Sequence, residues 1–215
     1  MSGYSTILLD FDGTLTKQDL LDYLAQTKGK GHKSRQLWEE FQLGKIDGAT
    51  CLRERIRLLK GYRIEEIHQL LSKELLRPGF DAFRLWVKKK RIRTVLISGN
   101  ICPVLHYYKA VFAASKIFCT ELIVENGCIE AMLPNGIGKN LTRVKKHLAK
   151  AGVPAEKTIS IGDDVSDIPF FDFAGWSIAF NSQANVASRA KQAVNGDLHQ
   201  LVSALDAITT RSQKS

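Results

Sequence analysis

Four short apolar runs set the frame for this chain of 215 residues: STILLDF (5–11), RTVLISG (93–99), TISIGD (158–163) and WSIAF (176–180). Near-continuous apolar, partly β-branched character is what strands buried on both faces require. Helical patterns occupy the intervals near 80–90, 101–111, 140–151 and 183–190, and again from Asp197 onward. Strand and helix in alternation predict an α/β chain whose parallel sheet is covered by helices on both sides. LIVENGCIEAML interrupts the alternation, and its two short runs about Asn126-Gly127 predict a β-hairpin with a tight turn.

Between Thr14 and Gly79 no strand pattern appears. DLLDYLAQ, SRQLWEEFQ, GATCLRERIRLLKG and IEEIHQLLSKEL all carry helical spacing, and Arg77-Pro78-Gly79 marks a hinge or boundary. The expected organisation is a small helical domain, 14–79, inserted after the first strand of a core made of 1–13 and 80–215.

Composition narrows the class. Apolar residues make up 44% and charged residues 25%, enough for a real core. No apolar run has the length of a membrane helix, and the opening MSGYSTILLDFDG lacks a basic region and a cleavage site, so a soluble cytoplasmic protein without a membrane partner is expected. The net charge of +9 is spread over TKGKGHKSR, KKKRIR, RVKKHLAK and the tail RSQKS. None of these is interleaved with stacking aromatics, which argues for solvated helix faces and against a nucleic-acid partner. Cys51, Cys102, Cys119 and Cys128 form no C-x-x-C pair, and all four are expected to be reduced thiols. Trp38, Trp86 and Trp176 are expected in packing roles, and His106 and His147 as ordinary helical residues. Nothing in the sequence bears on oligomeric state.

The polar signals fall at the ends of the strands. Asp10 and Asp12 close the first, Ser98 the second, Asp163 and Asp164 the third; Asp167 follows one turn on, and Lys139 precedes the helix starting near Leu141. Ligands of open parallel sheets bind at the carboxyl ends of the strands, so these residues are expected along one edge. Asp10 and Asp12, two apart, would share a strand face with Phe11 directed to the core, and Gly13 would let the backbone turn beneath a ligand. Carboxylates gathered so closely need compensation. Magnesium with phosphate oxygens would supply it, Lys139 would add a point charge, and the Ser98 hydroxyl with the Gly99 amide would hold phosphate oxygens at a helix start. One aspartate can then attack phosphorus while its neighbour gives and takes the proton.

DFDGTLT, LISGN, GK before a helix and GDDVSD resemble, in order, the four motifs of the haloacid dehalogenase superfamily. The resemblance spans essentially the whole chain and implies a Rossmann-like three-layer α/β/α core. It makes Asp10 the nucleophile, Asp12 the acid/base, Ser98 and Lys139 the phosphate-binding hydroxyl and lysine, and Asp163 a magnesium ligand. Magnesium would be held by the side chains of Asp10 and Asp163 and the carbonyl of Asp12, with Asp167 supporting metal waters and lysine. The second aspartate of DFD implies phosphoryl transfer, since the dehalogenase branch lacks it.

The helical insertion looks most like that of the phosphoserine phosphatase branch. By that resemblance Arg55 matches the substrate arginine, and Asp19 the acid that receives the substrate's amine. Helical geometry also singles out Arg55: it lies about 40° from Leu59 and about 60° from Leu52, inside an apolar arc. It could instead pair with Glu39, Glu40 or another acid of the insertion. Asp19 could simply cap DLLDYLAQ, Asp164 reads as a helix-entry acid, and Thr14 as either a phosphate contact or the end of the turn. Gly48 replaces a bulky apolar residue of the branch, implying a roomier pocket; Asn100 replaces the second glycine of Ser-Gly-Gly; Asp164 and Ser166 replace glycine and asparagine. The implied function is a magnesium-dependent phosphomonoester hydrolase using an aspartyl-phosphate, acting on a small phosphorylated metabolite with phosphoserine the leading candidate. A phosphotransferase, or a phosphatase for a sugar phosphate, nucleotide or other small ester, is the alternative. A nucleic-acid-associated or regulatory protein with an inert site is a third reading, which the intact acids, serine and lysine oppose.

Overall fold

The computed structural model describes residues 3–112 and 114–211. A six-stranded sheet runs through it in the order β3-β2-β1-β6-β7-β8, with β1 Thr6–Leu9, β2 Arg93–Ile101, β3 Lys116–Thr120, β6 Thr158–Gly162, β7 Trp176–Phe180 and β8 Gln192–Val194. Every pairing in it is parallel. The hairpin β4 Leu122–Glu125 and β5 Cys128–Met132 stands apart, and its turn residues Asn126 and Gly127 have φ of 50° and 76°, the positive values a tight hairpin turn needs.

Period-two geometry builds three layers. Leu8, Val95 and Ile97 pack on one face against Val144 and Leu148 of α7 (Leu141–Lys150) and Phe170 of α8 (Ile168–Phe173). Ile7, Leu9, Leu96, Ile159, Ile161 and Ile178 pack on the other. There they meet α5 (Phe80–Lys90), α6 (Cys102–Phe112) and α10 (Leu198–Arg211), through residues such as Phe83, Leu105 and Leu201. Leu8 lies between Ile7 and Leu9 in sequence and joins the opposite core, as a strand demands. α9 is a single turn, Ala184–Ala187.

Between β1 and α5 the chain forms only helices: α1 Leu20–Thr27, α2 Gly31–Gln42, α3 Gly48–Leu58, α4 Ile64–Leu70 and a 3-10 turn, Lys73–Leu75. Their apolar residues Leu24, Ile56 and Ile67 are continuous with the second core. The hairpin joins this layer as well: Gly61 N–H donates to Ile129 O, and Ile64 N–H to Gly127 O. The chain enters and leaves the helical layer by two segments that pair with each other, Lys17 N–H donating to Leu75 O and Arg77 N–H to Leu15 O.

Several expectations change in detail. The first strand stops at Leu9 and not at Phe11, because the chain turns to give Leu15 and Thr16 N–H bonds to Phe11 O. The second runs on to Ile101, the fourth helix expected at 183–190 shortens to Ala184–Ala187, and β3 and β8 lie where no strand was expected. The cysteine expectation is overturned for two of the four. β3 brings Cys119 beside the start of α6, and Cys102 and Cys119 form a disulfide with Cα atoms 4.9 Å apart. Cys51 and Cys128 are free thiols, and burial pushes Cys51 up to about 11. Protein purified without reductant and unfolded in denaturant should therefore show two reactive thiols per chain, rising to four after reduction. Four before reduction would refute the pairing.

Candidate active site

The site lies where β1 is flanked by β2 on one side and β6 on the other, at the carboxyl ends of all three strands. The backbone N–H of Asp10 still bonds Ile161 O at 2.9 Å, so Asp10 is anchored in the sheet. Phe11 then points into the core, fully buried against Tyr108 and Phe112. Gly13 carries φ of 71°, and a Cβ there would stand 2.2 Å from Asp163 Oδ2. Backbone freedom and close approach both demand glycine at that point.

Asp12 turns toward the start of α1, accepting the N–H of Leu20 at 2.8 Å, both Asn100 Nδ2 contacts at 3.0 Å, and the Ser98 hydroxyl at 3.2 Å. Ser98 and Asn100 come from a stretch of β2 where pairing with β3 shifts register between Ile97 and Ile101. An irregular ladder there releases Ser98, Gly99 and Asn100 for other partners. Gly99 lines the cavity and a Cβ on it would meet nothing within 4 Å.

Lys139 is delivered from the loop before α7, where Gly138 N–H donates to Thr120 Oγ1 at 3.2 Å and Thr120 in turn bonds Gly99 O at 2.7 Å. Its ammonium lies 2.9 Å from Asp10 Oδ1, 2.9 Å from Asp167 Oδ1 and 2.7 Å from Ser166 Oγ. Asp167 uses its other oxygen to accept the N–H groups of Asp163 and Asp164 at 3.1 and 3.2 Å. Asp164 caps the 3-10 turn Val165–Asp167, consistent with its expected role at a helix entry.

Sequence reasoning missed the parts that lock this arrangement. The Thr14 hydroxyl, completely buried, donates to Asp163 Oδ1 at 2.9 Å and also lies 3.3 Å from Asp10 Oδ2, bridging the two acids. Arg77, expected only to mark a boundary, reaches back to the carbonyls of Gly13 and Thr14 and lies over the Phe180 ring. The one available signal was a charged residue directly before Pro78-Gly79, too common to be informative.

Burial dominates the electrostatics. It pushes Asp10 up to about 6, with Lys139 opposing and Asp164 and Asp12 adding to the rise. It pushes Asp12 up to about 7, reinforced by Asp19 and opposed by the bonds from Leu20 and Asn100. Asp163 and Asp167 stand well above the usual carboxylate range for the same first cause. Burial also disfavours the Lys139 charge, but Asp10, Asp164, Asp167 and Asp163 outweigh it and hold the ammonium protonated. One ammonium cannot balance this many acids. Oxygens of Asp10, Asp163 and Asp167 lie within 4.8 Å of one another, a hard-donor cluster with the chemistry of a divalent-cation site.

Across a cavity of about 230 Å³ stands Arg55, buried, as its place in an apolar arc suggested. Its Nη2 pairs with Asp19 at 2.7 Å and Asp22 at 3.0 Å, and its Nε donates to Ser34 Oγ at 3.0 Å. Glu39 and Glu40 are not its partners. Burial works against the guanidinium, and Asp19 followed by Asp22 more than restores it. Asp19 caps α1 through Asp22 N–H, as one of its two readings expected, and also pairs with Arg55. Trp38 packs against Phe41 and also lines the cavity, with Arg55 over its ring at 5.3 Å. Gly48 does not simply leave space. Phe41 stands over it, 3.3 Å from where a Cβ would be, and forms the wall with Trp38.

Comparison with known proteins agrees with this geometry. The chain is 28% identical over 193 residues to a phosphoserine phosphatase of Archaeoglobus fulgidus, a match covering 85% of this chain but 56% of that protein. It is 26% identical over 190 residues to the phosphoserine phosphatase of Methanocaldococcus jannaschii, covering 86% of this chain and 89% of that one. A solved phospho-aspartyl intermediate analogue of phosphoserine phosphatase superposes with a TM-score of 0.82 at 24% identity, over 96% of this chain and 99% of that chain. A substrate-bound phosphoserine phosphatase complex gives 0.82 at 23% identity, over 94% and 99%. The family model for haloacid dehalogenase-like hydrolases matches residues 7–172, and the chain belongs to that family.

Proposed function

We propose that this chain is a magnesium-dependent phosphomonoester hydrolase working through an aspartyl-phosphate on Asp10, with phosphoserine as its substrate. The observation that carries the reading is one cavity lined both by Asp10, Asp12 and Lys139 and by Asp19 and Arg55. A short phosphate ester with a charged head group fits such a division. Phosphate would take the Lys139 end with the Ser98 hydroxyl and Gly99 amide. The substrate's amine would meet Asp19. Its carboxylate would meet Arg55, whose Nη1 has no hydrogen-bond partner among the described residues. Trp38 and Phe41 would wall the cavity beside the head group.

Mg²⁺ would be held by the side chains of Asp10 and Asp163 and the carbonyl of Asp12, where it would neutralise acid charge and withdraw density from phosphate oxygens. Asp167, bonded to Lys139 and to two backbone N–H groups, would brace this set. Asp10 attacks phosphorus in line while Lys139 and Ser98 stabilise the equatorial oxygens. Asp12, protonated, donates to the leaving alkoxide; deprotonated, it takes the proton of the water that frees Asp10. Its position near neutrality suits both tasks. Residues 14–79 act as a cap over the core of 1–13 and 80–215, excluding water when they close.

Asp10→Asn should abolish turnover while leaving the fold intact by circular dichroism; a variant with normal activity would sink the assignment. Against a panel of phosphoserine, phosphoethanolamine, sugar phosphates and nucleotides, chelator-sensitive phosphate release should be greatest with phosphoserine. Release only in the presence of an acceptor alcohol would mark a phosphotransferase instead. Arg55→Ala should raise KM for phosphoserine about tenfold or more, the worth of one charge-assisted contact, and spare phosphoethanolamine. Equal losses on both would remove Arg55 from substrate binding.

The raised acids also make a prediction about stability. Asp10 and Asp12 bind protons more tightly in the folded chain than in the unfolded one, so the metal-free protein loses stability as pH rises from about 4 through about 7. In chelator, the melting temperature should fall between pH 5 and pH 7.5, and added Mg²⁺ should raise it more at pH 7.5 than at pH 5. An equal gain at both pH values would argue against a cation among these acids.

A further inference from the structure

Asn100 is 1% exposed and ends the Ser-Gly-Asn stretch of β2. Its amide is not free to choose an orientation. Oδ1 accepts the backbone N–H of Ile101 at 2.8 Å, which turns Nδ2 toward Asp12. Nδ2 then sits 3.0 Å from each oxygen of that carboxylate. A neutral amide does not balance charge as Lys139 does. A donor bridging both oxygens instead fixes the rotation of the carboxyl group about its Cβ–Cγ bond, a torsion that is otherwise broad.

Asp12's remaining partners make the two oxygens unequal. Oδ1 accepts a second N–H, from Leu20 at 2.8 Å, and two N–H donors favour its unprotonated form. Oδ2 faces the Ser98 hydroxyl at 3.2 Å, which can reverse between donor and acceptor as the proton comes and goes. Ser98 is itself held by the N–H of Asn100 at 2.9 Å, so Asn100 sets both partners of Oδ2.

We propose that Asn100 is a positioning residue for Asp12, locking its carboxyl group so that Oδ2, on the Ser98 side, is the atom that exchanges the proton. As the Asp10–phosphorus bond forms and the ester P–O bond breaks, the Oδ2–H bond breaks and its proton goes to the departing oxygen. In the second half the water oxygen bonds phosphorus, the Asp10–phosphorus bond breaks, and Oδ2 takes the proton the water loses. The inference rests on the reading of Asp12 as acid and base, and the test separates the two.

Leaving groups that need a proton should feel the loss of Asn100, and those that do not should not. Asn100→Ala, Asn100→Ser and Asn100→Asp would be compared with wild type in single-turnover rapid quench with Mg²⁺. The Asp variant keeps size and an acceptor for Ile101 but loses both donors, and any one variant that folds is sufficient. With phosphoserine, an alkyl ester, the first-turnover rate should fall about 10- to 100-fold with KM changed less than about threefold. With p-nitrophenyl phosphate, whose phenolate departs unprotonated, the fall should stay below about threefold. Equal losses on the two esters, a change confined to KM, or a wild-type rate on phosphoserine would overturn the proposal. Asp12→Ala is run alongside. If it shows the ester-selective loss and the Asn100 variants do not, only the role of Asn100 has failed. If Asp12→Ala also shows no selectivity, the reading of Asp12 has failed with it.

Discussion

Everything at the carboxyl edge of the sheet is arranged around one imbalance, a single ammonium among buried acids. Lys139 touches Asp10, Asp167 and Ser166 directly, and Asp163 and Asp164 act on it from slightly farther away. In a low-dielectric setting such a cluster is costly unless each oxygen is engaged. Much of the local structure reads as that engagement. Thr14 bridges Asp10 and Asp163, two backbone N–H groups satisfy Asp167, and the start of α1 meets Asp12. What these contacts leave uncompensated is net negative charge, which a divalent cation among Asp10, Asp163 and Asp167 would relieve.

The opposite wall of the cavity solves a similar problem with the signs reversed. Arg55 is a buried cation set among Asp19, Asp22, Ser34 and the face of Trp38. Two acids for one guanidinium keep that wall from being simply positive, which suits a head group bearing both charges better than a bare carboxylate. Phe41 over Gly48 shows how a side chain absent from one helix is replaced by one from another. Pocket size therefore cannot be read from position 48 alone.

The cluster at the carboxyl edge was legible because its residues sit at strand ends, where local sequence and topology point to the same place. DFDG, SGN and GDDVSD each combine an apolar strand with a polar terminus, and the switch-point rule brings them together. The central strands were legible for the same reason. β3 and β8 were not: KIFCT opens on an exposed lysine and QAV is three residues long, so neither offers the buried run that marks an inner strand. Missing β3 also hid the proximity of Cys102 and Cys119, 17 residues apart in sequence. Arg77 and Thr14 escaped because their meaning lies wholly in tertiary contacts. Arg55 was visible as a charge in an apolar arc, yet its partners Asp19 and Asp22 come from a different helix end and could not be chosen over Glu39 or Glu40.

Arg77 links the helical layer to the turn that follows β1. The chain leaves the core through residues 14–17 and returns through 75–77, and the two crossings bond to each other across Thr16 and Leu76. On the return, the Arg77 guanidinium grips the carbonyls of Gly13 and Thr14, the turn that carries Asp12 and meets Asp163. One guanidinium thus ties the returning chain to the turn that follows β1, with the Phe180 ring beneath it as support.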